Sequence, residues 1–352
     1  MSKPIVLVIH GMGTHLPGEM KSQVIGGLNE AAKNFGLEKF NIEDKVEFFQ
    51  FNYSAFLDEL RKKDADHATS MSEHLTFLQG YGLGESLVTK LTGFFANFGE
   101  DKMLYTHWMD VVYYGLTFWG EKIRVDCAKR LNDIMIESNS SNREVHIVAH
   151  SLGVAVLHDT LSKIFRKDVD LTANVPGLDV GKFKIKSVWA VANVSRLLYV
   201  MNDIADPYKS TIRAGGQGCC DLMVNVRNEF DPFTWVKQYN HPIGTASQLV
   251  EVNTVRIINT HDIREYMSTP RVAGNFFSYL LGIDCDSNFD QAVEKYNETS
   301  INVSVQNLKE AFSDIPKADD ISDKLEALEK FFSVAQEFNK RMKSLVGGNE
   351  NV

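Results

Sequence analysis

The segment EVHIVAHSLGVAV, at 144–156, joins an apolar run typical of a buried strand to one typical of a buried helix face, with Ser151 at the junction. A serine in that place is most often a helix N-cap. Here the residues two before and two after it, Ala149 and Gly153, are both small. Small residues are needed there when strand and helix backbones pass close together at a strained turn that points the serine away from the sheet edge. The segment therefore predicts such a turn.

A second apolar run begins the chain. PIVLVIHGMG, at 4–13, has five consecutive apolar residues followed by His10 and Gly11. A short continuous run is typical of a strand covered on both faces, as in a parallel sheet. The glycines after it favour an ordinary turn or a loop that binds an anion. A dinucleotide-binding G-x-G-x-x-G pattern is excluded, because THLPG follows Gly13 and Pro17 interrupts a following helix.

The stretches VIHGMG and VAHSLG together resemble the α/β-hydrolase superfamily, and within it serine hydrolases of the lipase and esterase type. The resemblance covers roughly residues 3–282 and begins at the strand that carries the oxyanion loop. It implies a nucleophilic Ser151 and an oxyanion hole formed by the backbone amides of Met12 and Leu152. It also implies an acid and then a histidine base, in that order along the chain after the serine.

Two histidines follow His158 in the sequence, His241 and His261. His261, in IINTHDIREYM, comes just after the predicted last strand, where the resemblance places the base. His241, in YNHPIG, precedes that strand, and we expect it in a turn or a substrate loop. The sequence therefore favours His261 as the base that accepts the serine proton.

The acid that orients the base should follow the preceding strand, where VNVRNEFDPF offers Glu229 and Asp231. Asp231 is favoured because Pro232 disfavours helix at the residue before it and fixes the loop. The alternative for Asp231 is a plain turn residue, since Asp-Pro is a common turn pair. Asp262, adjacent to His261, is expected to cap the next helix.

The sequence predicts no metal site and no cofactor. His146 and His150 are four residues apart, a spacing that brings ligands together on a helix but not in a strand and its turn. The four cysteines show no metal-ligand spacing, and the adjacent pair has poor geometry for a disulfide, so reduced thiols are expected. These cysteines are Cys127, Cys219, Cys220 and Cys285.

Strand patterns alternate with helical patterns such as that at 19–35. This alternation predicts an α/β fold, a three-layer α/β/α sandwich with a mainly parallel sheet. Besides the two segments above, strands are predicted at 46–51, 184–191, 221–226 and 251–258.

The predicted catalytic domain spans 1–286 and contains a helical insertion at about 54–140, longer than an ordinary crossover needs. Helical patterns occur near 56–63 and 108–136, separated by a glycine- and phenylalanine-rich stretch. This stretch is either part of a helical hairpin on the sheet or, over Gly80–Gly99, a mobile lid above an acyl pocket. Its aromatic cluster is Phe94, Phe95 and Phe98.

The C-terminal segment, 287–352, is predicted as a helical extension that is docked or used for oligomerisation. It is more polar than the rest, with apolar residues at helical spacing, among them Leu325, Leu328 and Phe332.

Composition limits the class of partner. The 352 residues are 44% hydrophobic, which suffices for one large domain, with or without a cap. A net charge of −9 disfavours a nucleic-acid partner. We recognise neither a signal peptide nor an apolar run long enough for a membrane span, so a cytoplasmic location is expected; export without a cleavable signal would leave no such mark.

These features predict a serine hydrolase of carboxylic esters acting through a Ser151–Asp231–His261 triad. A lipid-like acyl ester is favoured by the phenylalanine cluster, by the aromatic-rich segment at 103–120 and by Met12, although the same residues are compatible with core packing. The insertion could then contact a membrane peripherally. The alternatives are a thioesterase, acyltransferase or amidase using the same site, and an inactive lipid-binding or interaction module of the same fold.

Overall fold

A single parallel sheet forms the centre of the computed structural model, which describes residues 2–67, 102–209, 212–215, 218–240, 246–299, 305–315 and 318–347. The strands lie in the order β2-β1-β3-β4-β5-β6, and every neighbouring pair is parallel. They are β1 (Ile5–Ile9), β2 (Glu47–Phe51), β3 (Val145–His150), β4 (Ile185–Val191), β5 (Cys220–Asn228) and β6 (Ser247–Val252).

Helices connect these strands and continue beyond the last one. Those before β4 are α1 (Glu19–Asn34), α2 (Ser54–His67), α3 (Lys102–Leu116), α4 (Trp119–Ser141), α5 (Leu152–Arg166) and α6 (Val169–Asn174). Those after β4 are α7 (Ser195–Asn202), α8 (Ile263–Ser268), α9 (Pro270–Leu281), α10 (Phe289–Asn297), α11 (Val305–Phe312) and α12 (Lys324–Gly347). Short 3-10 turns lie at Ile42–Asp44, Val180–Lys182, Pro232–Thr234 and Asp286–Asn288.

The sheet is buried on both faces, as the continuous apolar run of β1 predicts. Ile5, Leu7 and Ile9 face a core formed with α2–α7, α11 and α12. Val6 and Val8 face a second core formed with α1 and α8–α10. The predicted α/β fold with a parallel sheet and helices on both faces is therefore confirmed.

The strand order creates a crevice between β1 and β3 at the carboxyl edge of the sheet. The chain leaves β1 toward α1 on one face, and it leaves the neighbouring β3 toward α5 on the other. At such a switch point the two outgoing loops diverge, and open α/β sheets bind their ligands there. The loop after β1 and the turn after β3 therefore form the two sides of one crevice.

Two predicted elements are corrected by the structure. The last strand is not 251–258 but β6, which ends at Val252 and is followed by a loop that includes Arg256. The guanidinium of Arg256 contacts Glu30 and Glu265, so this segment is tied to helices rather than to the sheet. The helix predicted at 108–136 is two helices, because Thr117 accepts a hydrogen bond from the Trp119 amide at 3.2 Å and the chain turns there.

The insertion and the C-terminal segment both contribute to the core. Tyr113 and Tyr114 of the aromatic-rich segment are fully buried in it. Of the two interpretations of this segment, an acyl-binding surface or core packing, these two residues fit core packing. Leu328 and Phe332 of α12 are likewise buried within this chain. The segment Gly80–Gly99 with its three phenylalanines, and the side chain of Leu325, lie outside the described residues. Across the described ranges, no helix has the length and apolar character that crossing a membrane requires.

Candidate active site

Ser151 occupies a strained turn between β3 and α5. Its φ of 54° and ψ of −123° lie in a region that a residue with a side chain rarely adopts. The turn is held by two backbone hydrogen bonds, from the Ser151 amide to the Val191 carbonyl at 2.9 Å and from the Val154 amide to the Ser151 carbonyl at 3.0 Å. The serine is fully buried, and its Oγ has no hydrogen-bond partner among the described residues. It occupies the N-cap position of α5, but its side chain makes no capping hydrogen bond.

Close backbone approach explains the glycine two residues after the serine. A Cβ on Gly153 would lie 2.3 Å from the carbonyl oxygen of His10 and 2.8 Å from that of Ile9. These distances are far inside van der Waals contact, so only glycine lets α5 start against the end of β1. Glycine at 153 therefore has a steric cause, although the backbone it approaches is that of β1 and not that of the strand before the serine.

His261 and Asp231 form a buried pair at the same edge of the sheet. His261 Nδ1 lies 2.7 Å from Asp231 Oδ2, and the same oxygen accepts a hydrogen bond from the Tyr266 hydroxyl at 2.7 Å. The other oxygen, Oδ1, accepts from the Phe233 amide at 3.0 Å. Asp231 is fully buried, and these contacts satisfy the charge of its carboxylate. Burial raises the pKa of Tyr266 well above its usual value, and nearby Asp231 adds to the effect, so the phenol remains a hydrogen-bond donor.

Glu229 and Asp262 have partners other than His261. The Glu229 carboxylate is half-exposed and pairs with Lys309 at 3.4 Å. Asp262 caps α8 by accepting from the amides of Arg264 and Glu265, as its position predicted. His241 lies outside the described residues.

His150 links the serine turn to His261. Its Nε2 donates to the backbone carbonyl of His261 at 2.9 Å, and the two imidazole rings lie 4.6 Å apart between centroids. Within the described part of the chain, neither Ser151 Oγ nor His261 Nε2 has a hydrogen-bond partner, so the two atoms are not bonded to each other. Both polar atoms are buried at one edge of the sheet. Serine–histidine hydrogen bonds of this kind are often long in the absence of substrate.

Met12 and Leu152 lie on the two sides of the crevice. Met12 belongs to the loop after β1, and its side chain is buried. Leu152 is the first residue of α5, so its amide is one of those at a helix start that have no acceptor within the helix. Gly11 of the same loop brings the two sides close together, because a Cβ on it would lie 2.7 Å from Ser151 Cβ.

Several histidines around the crevice are held neutral by burial. Burial, together with nearby His15, lowers the pKa of His10 to about 3, and burial together with nearby histidines lowers that of His150 well below its usual value. The pKa of His15 is lowered as well, again mainly by burial. Neutral rings here can accept or donate a hydrogen bond without adding positive charge beside His261.

The described residues contain no group of three side chains arranged to hold a metal ion. His146 and His150, at metal-ligand spacing in the sequence, point to different partners. His146 Nδ1 lies 2.7 Å from Ser187 Oγ, whereas His150 contacts His261. A groove of about 500 Å³ lies beside β6, α9 and α10, and neither Ser151 nor His261 lines it.

Several residues that shape the site were not predicted from sequence. Tyr266 is five residues after His261, a spacing that carries no signal of a contact with Asp231. The ring of Phe233 lies against that of His261, with centroids 4.5 Å apart, and Phe331 of α12 packs on Phe233 at 5.4 Å. The C-terminal helix thus supports the loop that carries Asp231.

Comparison with known proteins yields no significant match to a family model, to a curated protein or to a solved structure.

Proposed function

We propose that this protein is a serine hydrolase that cleaves carboxylic esters, with Ser151 as nucleophile, His261 as base and Asp231 as the acid that orients it. One observation carries the proposal. Ser151, whose φ is positive, lies at the switch point of the parallel sheet. At the same edge, the Nδ1 atom of His261 lies 2.7 Å from the buried carboxylate of Asp231, which leaves Nε2 for the serine. A turn that only packed the fold would need neither the strain nor the buried pair.

The reaction would follow from these positions. Ser151 Oγ attacks the ester carbonyl carbon while its proton passes to His261 Nε2, and the carbonyl electron pair moves onto oxygen. The amides of Met12 and Leu152 donate to that oxyanion. The tetrahedral intermediate expels the alcohol, which takes the proton from His261. Water then attacks the acyl-serine and gives a proton to His261, which returns it to Ser151 Oγ as the acyl–serine bond breaks and the carboxylic acid leaves.

Asp231 would act through His261 alone. Its Oδ2 holds the Nδ1 proton in place, which leaves Nε2 free to accept the serine proton and stabilises the imidazolium that forms. The Tyr266 hydroxyl shares that oxygen and fixes the carboxylate. The neutral ring of His150 beside the base would avoid repulsion with the imidazolium.

For the substrate we propose a lipid-like acyl ester. The ring of Phe233 lies against His261, and the buried side chain of Met12 belongs to the loop after β1, so each of these two segments offers an apolar side chain to an acyl group. Tyr113 and Tyr114 do not support this choice, since both are core residues. Thioesters, amides and acyl transfer would use the same residues and differ only in the leaving group or acceptor.

A serine-reactive fluorophosphonate probe tests the reaction type. We expect the wild-type protein to label and to hydrolyse p-nitrophenyl esters, and Ser151→Ala to lose both, with a rate loss on the order of 10⁴ or more. A panel of acyl chain lengths then tests the substrate. A preference for acetate over longer chains would leave a small-ester esterase.

A second function, an inactive interaction module of the same fold, is favoured by one observation. Ser151 Oγ and His261 Nε2 are not hydrogen-bonded to each other. The same experiment separates the two functions, because an inactive module would neither label with the probe nor turn over any ester of the panel.

A further inference from the structure

The loop after β1 is fixed by side chains from outside it. The Tyr53 hydroxyl donates to the carbonyls of His10 and Gly11 at 3.0 and 2.9 Å. Ser54 Oγ donates to the Gly13 carbonyl at 3.0 Å and accepts from the His15 amide at 3.2 Å. None of these hydrogen bonds uses the Met12 amide.

The two peptide groups around Met12 are each held. The peptide that contains the Met12 amide has the Gly11 carbonyl at its other end, which accepts from Tyr53 and from His10 Nδ1 at 2.7 Å. The next peptide is fixed at both ends. Its carbonyl, that of Met12, accepts from His15 Nε2 at 3.0 Å, and its amide, that of Gly13, donates to Asp110 Oδ2 at 2.7 Å. The direction of the Met12 amide therefore depends on these anchors.

Asp110 is a buried charge in the insertion. It lies on α3 and is fully buried. Its second oxygen, Oδ1, pairs with Arg61 of α2, which also pairs with Asp58 one turn earlier. Asp58 in turn accepts from the Thr14 hydroxyl at 2.8 Å. The cluster of Asp58, Arg61 and Asp110 thus contacts two adjacent residues of the loop, Gly13 and Thr14.

A buried carboxylate is costly unless it is paired and hydrogen-bonded, and burial of an ion pair is seldom the most stable packing available. A charged acceptor also gives a stronger and more directional hydrogen bond to an amide than a neutral one. An apolar pair of similar volume would fill the same space without holding the Gly13 amide. The ion pair costs free energy to bury, but it fixes the loop at Gly13, whose φ is 95°.

We propose that Asp110 is a positioning residue, which, held by Arg61, sets the direction of the Met12 amide in the oxyanion hole. The inference rests on the proposed function. It makes the insertion part of the catalytic geometry, since α2 and α3 carry the groups that hold the loop.

Asp110→Ala, compared with Asp159→Ala, tests this role. Asp159 is a matched control, because it is also a buried carboxylate bonded to α3, through the Tyr114 hydroxyl at 2.7 Å, but it does not touch the loop. Per folded molecule, we expect Asp110→Ala to lower kcat by about 10- to 100-fold with little change in KM, somewhat less than loss of a whole oxyanion donor. Asp159→Ala should keep kcat within about threefold of wild type.

Two readouts separate positioning from stability. A trifluoromethyl ketone, which adds to the serine to form an oxyanion, should bind Asp110→Ala at least about tenfold more weakly than Asp159→Ala. Asp110→Asn keeps an oxygen acceptor for the Gly13 amide but loses the ion pair with Arg61, so its kcat should lie between those of Asp110→Ala and the wild type. If Asp110→Ala does not fold, Arg61→Met gives the same comparison, because it removes the group that holds Asp110.

Equal kcat and equal ketone affinity in the Asp110 or Arg61 variant and the Asp159 variant would overturn the inference while leaving the hydrolase proposal intact. The activity of the wild-type protein distinguishes failure of the positioning role from failure of the proposed function. If it neither labels with a fluorophosphonate nor hydrolyses any ester, the proposed function fails, and the positioning role fails with it.

Discussion

Gly11 and Ser151 face each other across the crevice so closely that a Cβ added to the glycine would lie 2.7 Å from the serine Cβ. The same added atom would lie 3.0 Å from His150 Nδ1. The loop after β1 and the serine turn therefore fit together as one unit, and space at Gly11 is a requirement of the proposed site.

Gly11→Ala should consequently damage both stability and activity. The added methyl must displace the serine turn or the loop, and overpacking of this kind costs about 1–3 kcal/mol. We expect ester hydrolysis to fall by at least about tenfold per folded molecule, because the oxyanion donors and the nucleophile move apart. Urea unfolding and initial rates measure the two effects.

Gly26→Ala is the matched control for Gly11→Ala. A Cβ there, in the middle of α1, would meet only Arg264 at 3.8 Å, an ordinary contact. It should keep full activity and raise the free energy of unfolding by up to about 1 kcal/mol, the difference in helix propensity between alanine and glycine. Similar behaviour of the two variants would contradict the close approach at Gly11.

The backbone strain at Ser151 predicts a stabilising but inactivating change. At φ 54° and ψ −123° glycine has no side chain to clash, so Ser151→Gly should raise the free energy of unfolding by about 1 kcal/mol relative to Ser151→Ala. Both variants should lack esterase activity. Thermal unfolding of the pair gives the comparison, and an alanine variant at least as stable as the glycine variant would show that the turn is unstrained.

Local patterns predicted the part of the site that depends on neighbouring residues. The spacing of Ala149, Ser151 and Gly153 indicated the turn, because strand, serine and helix start follow one another in the chain. The atoms that Gly153 approaches belong to Ile9 and His10, which local spacing does not reveal. The continuous apolar run of β1 likewise specified a strand buried on both faces. Pro232 favoured Asp231 over Glu229, and in the structure it is Asp231 that contacts His261.

Features that depend on distant segments could not be predicted in this way. β6 was placed too late because VNTVRII has strand-like residues, yet Arg256 is drawn away from the sheet by Glu30 and Glu265. The contacts of Asp110 with Gly13 and of Tyr266 with Asp231 join residues 97 and 35 positions apart. A local sequence pattern does not indicate which buried polar side chain will hydrogen-bond to a loop from a distant part of the chain.

Asp231→Asn and Glu229→Gln test the choice of acid. The first replaces the oxygen that receives the His261 Nδ1 proton and favours the wrong imidazole tautomer, so we expect a loss in kcat of about 10³- to 10⁴-fold. The second removes only a half-exposed ion pair with Lys309, and activity should stay within about twofold. A larger loss for Glu229→Gln than for Asp231→Asn would reverse the assignment.

Buried histidines predict that the fold weakens in acid. Burial lowers the pKa of His10 and of His146 to about 3, so each is neutral when folded but takes up a proton below about pH 6.5 when unfolded. Their contribution is complete above that pH and is lost as the pH falls, by about 1.4 kcal/mol per pH unit for each histidine. Burial raises the pKa of Asp110 to about 6, which acts in the opposite sense between about pH 4 and 6 and offsets one histidine.

His146→Gln isolates the contribution of one buried histidine to the pH dependence of stability. It should reduce the slope of unfolding free energy against pH by about 1.4 kcal/mol per pH unit between about pH 4 and 6, as measured by urea unfolding at several pH values. Ser187→Ala is the control, because it removes the hydroxyl that contacts His146 and Trp189 but leaves the imidazole in place. That variant should lose stability at every pH with the wild-type slope, and an unchanged slope in His146→Gln would mean that His146 is not neutral in the folded protein.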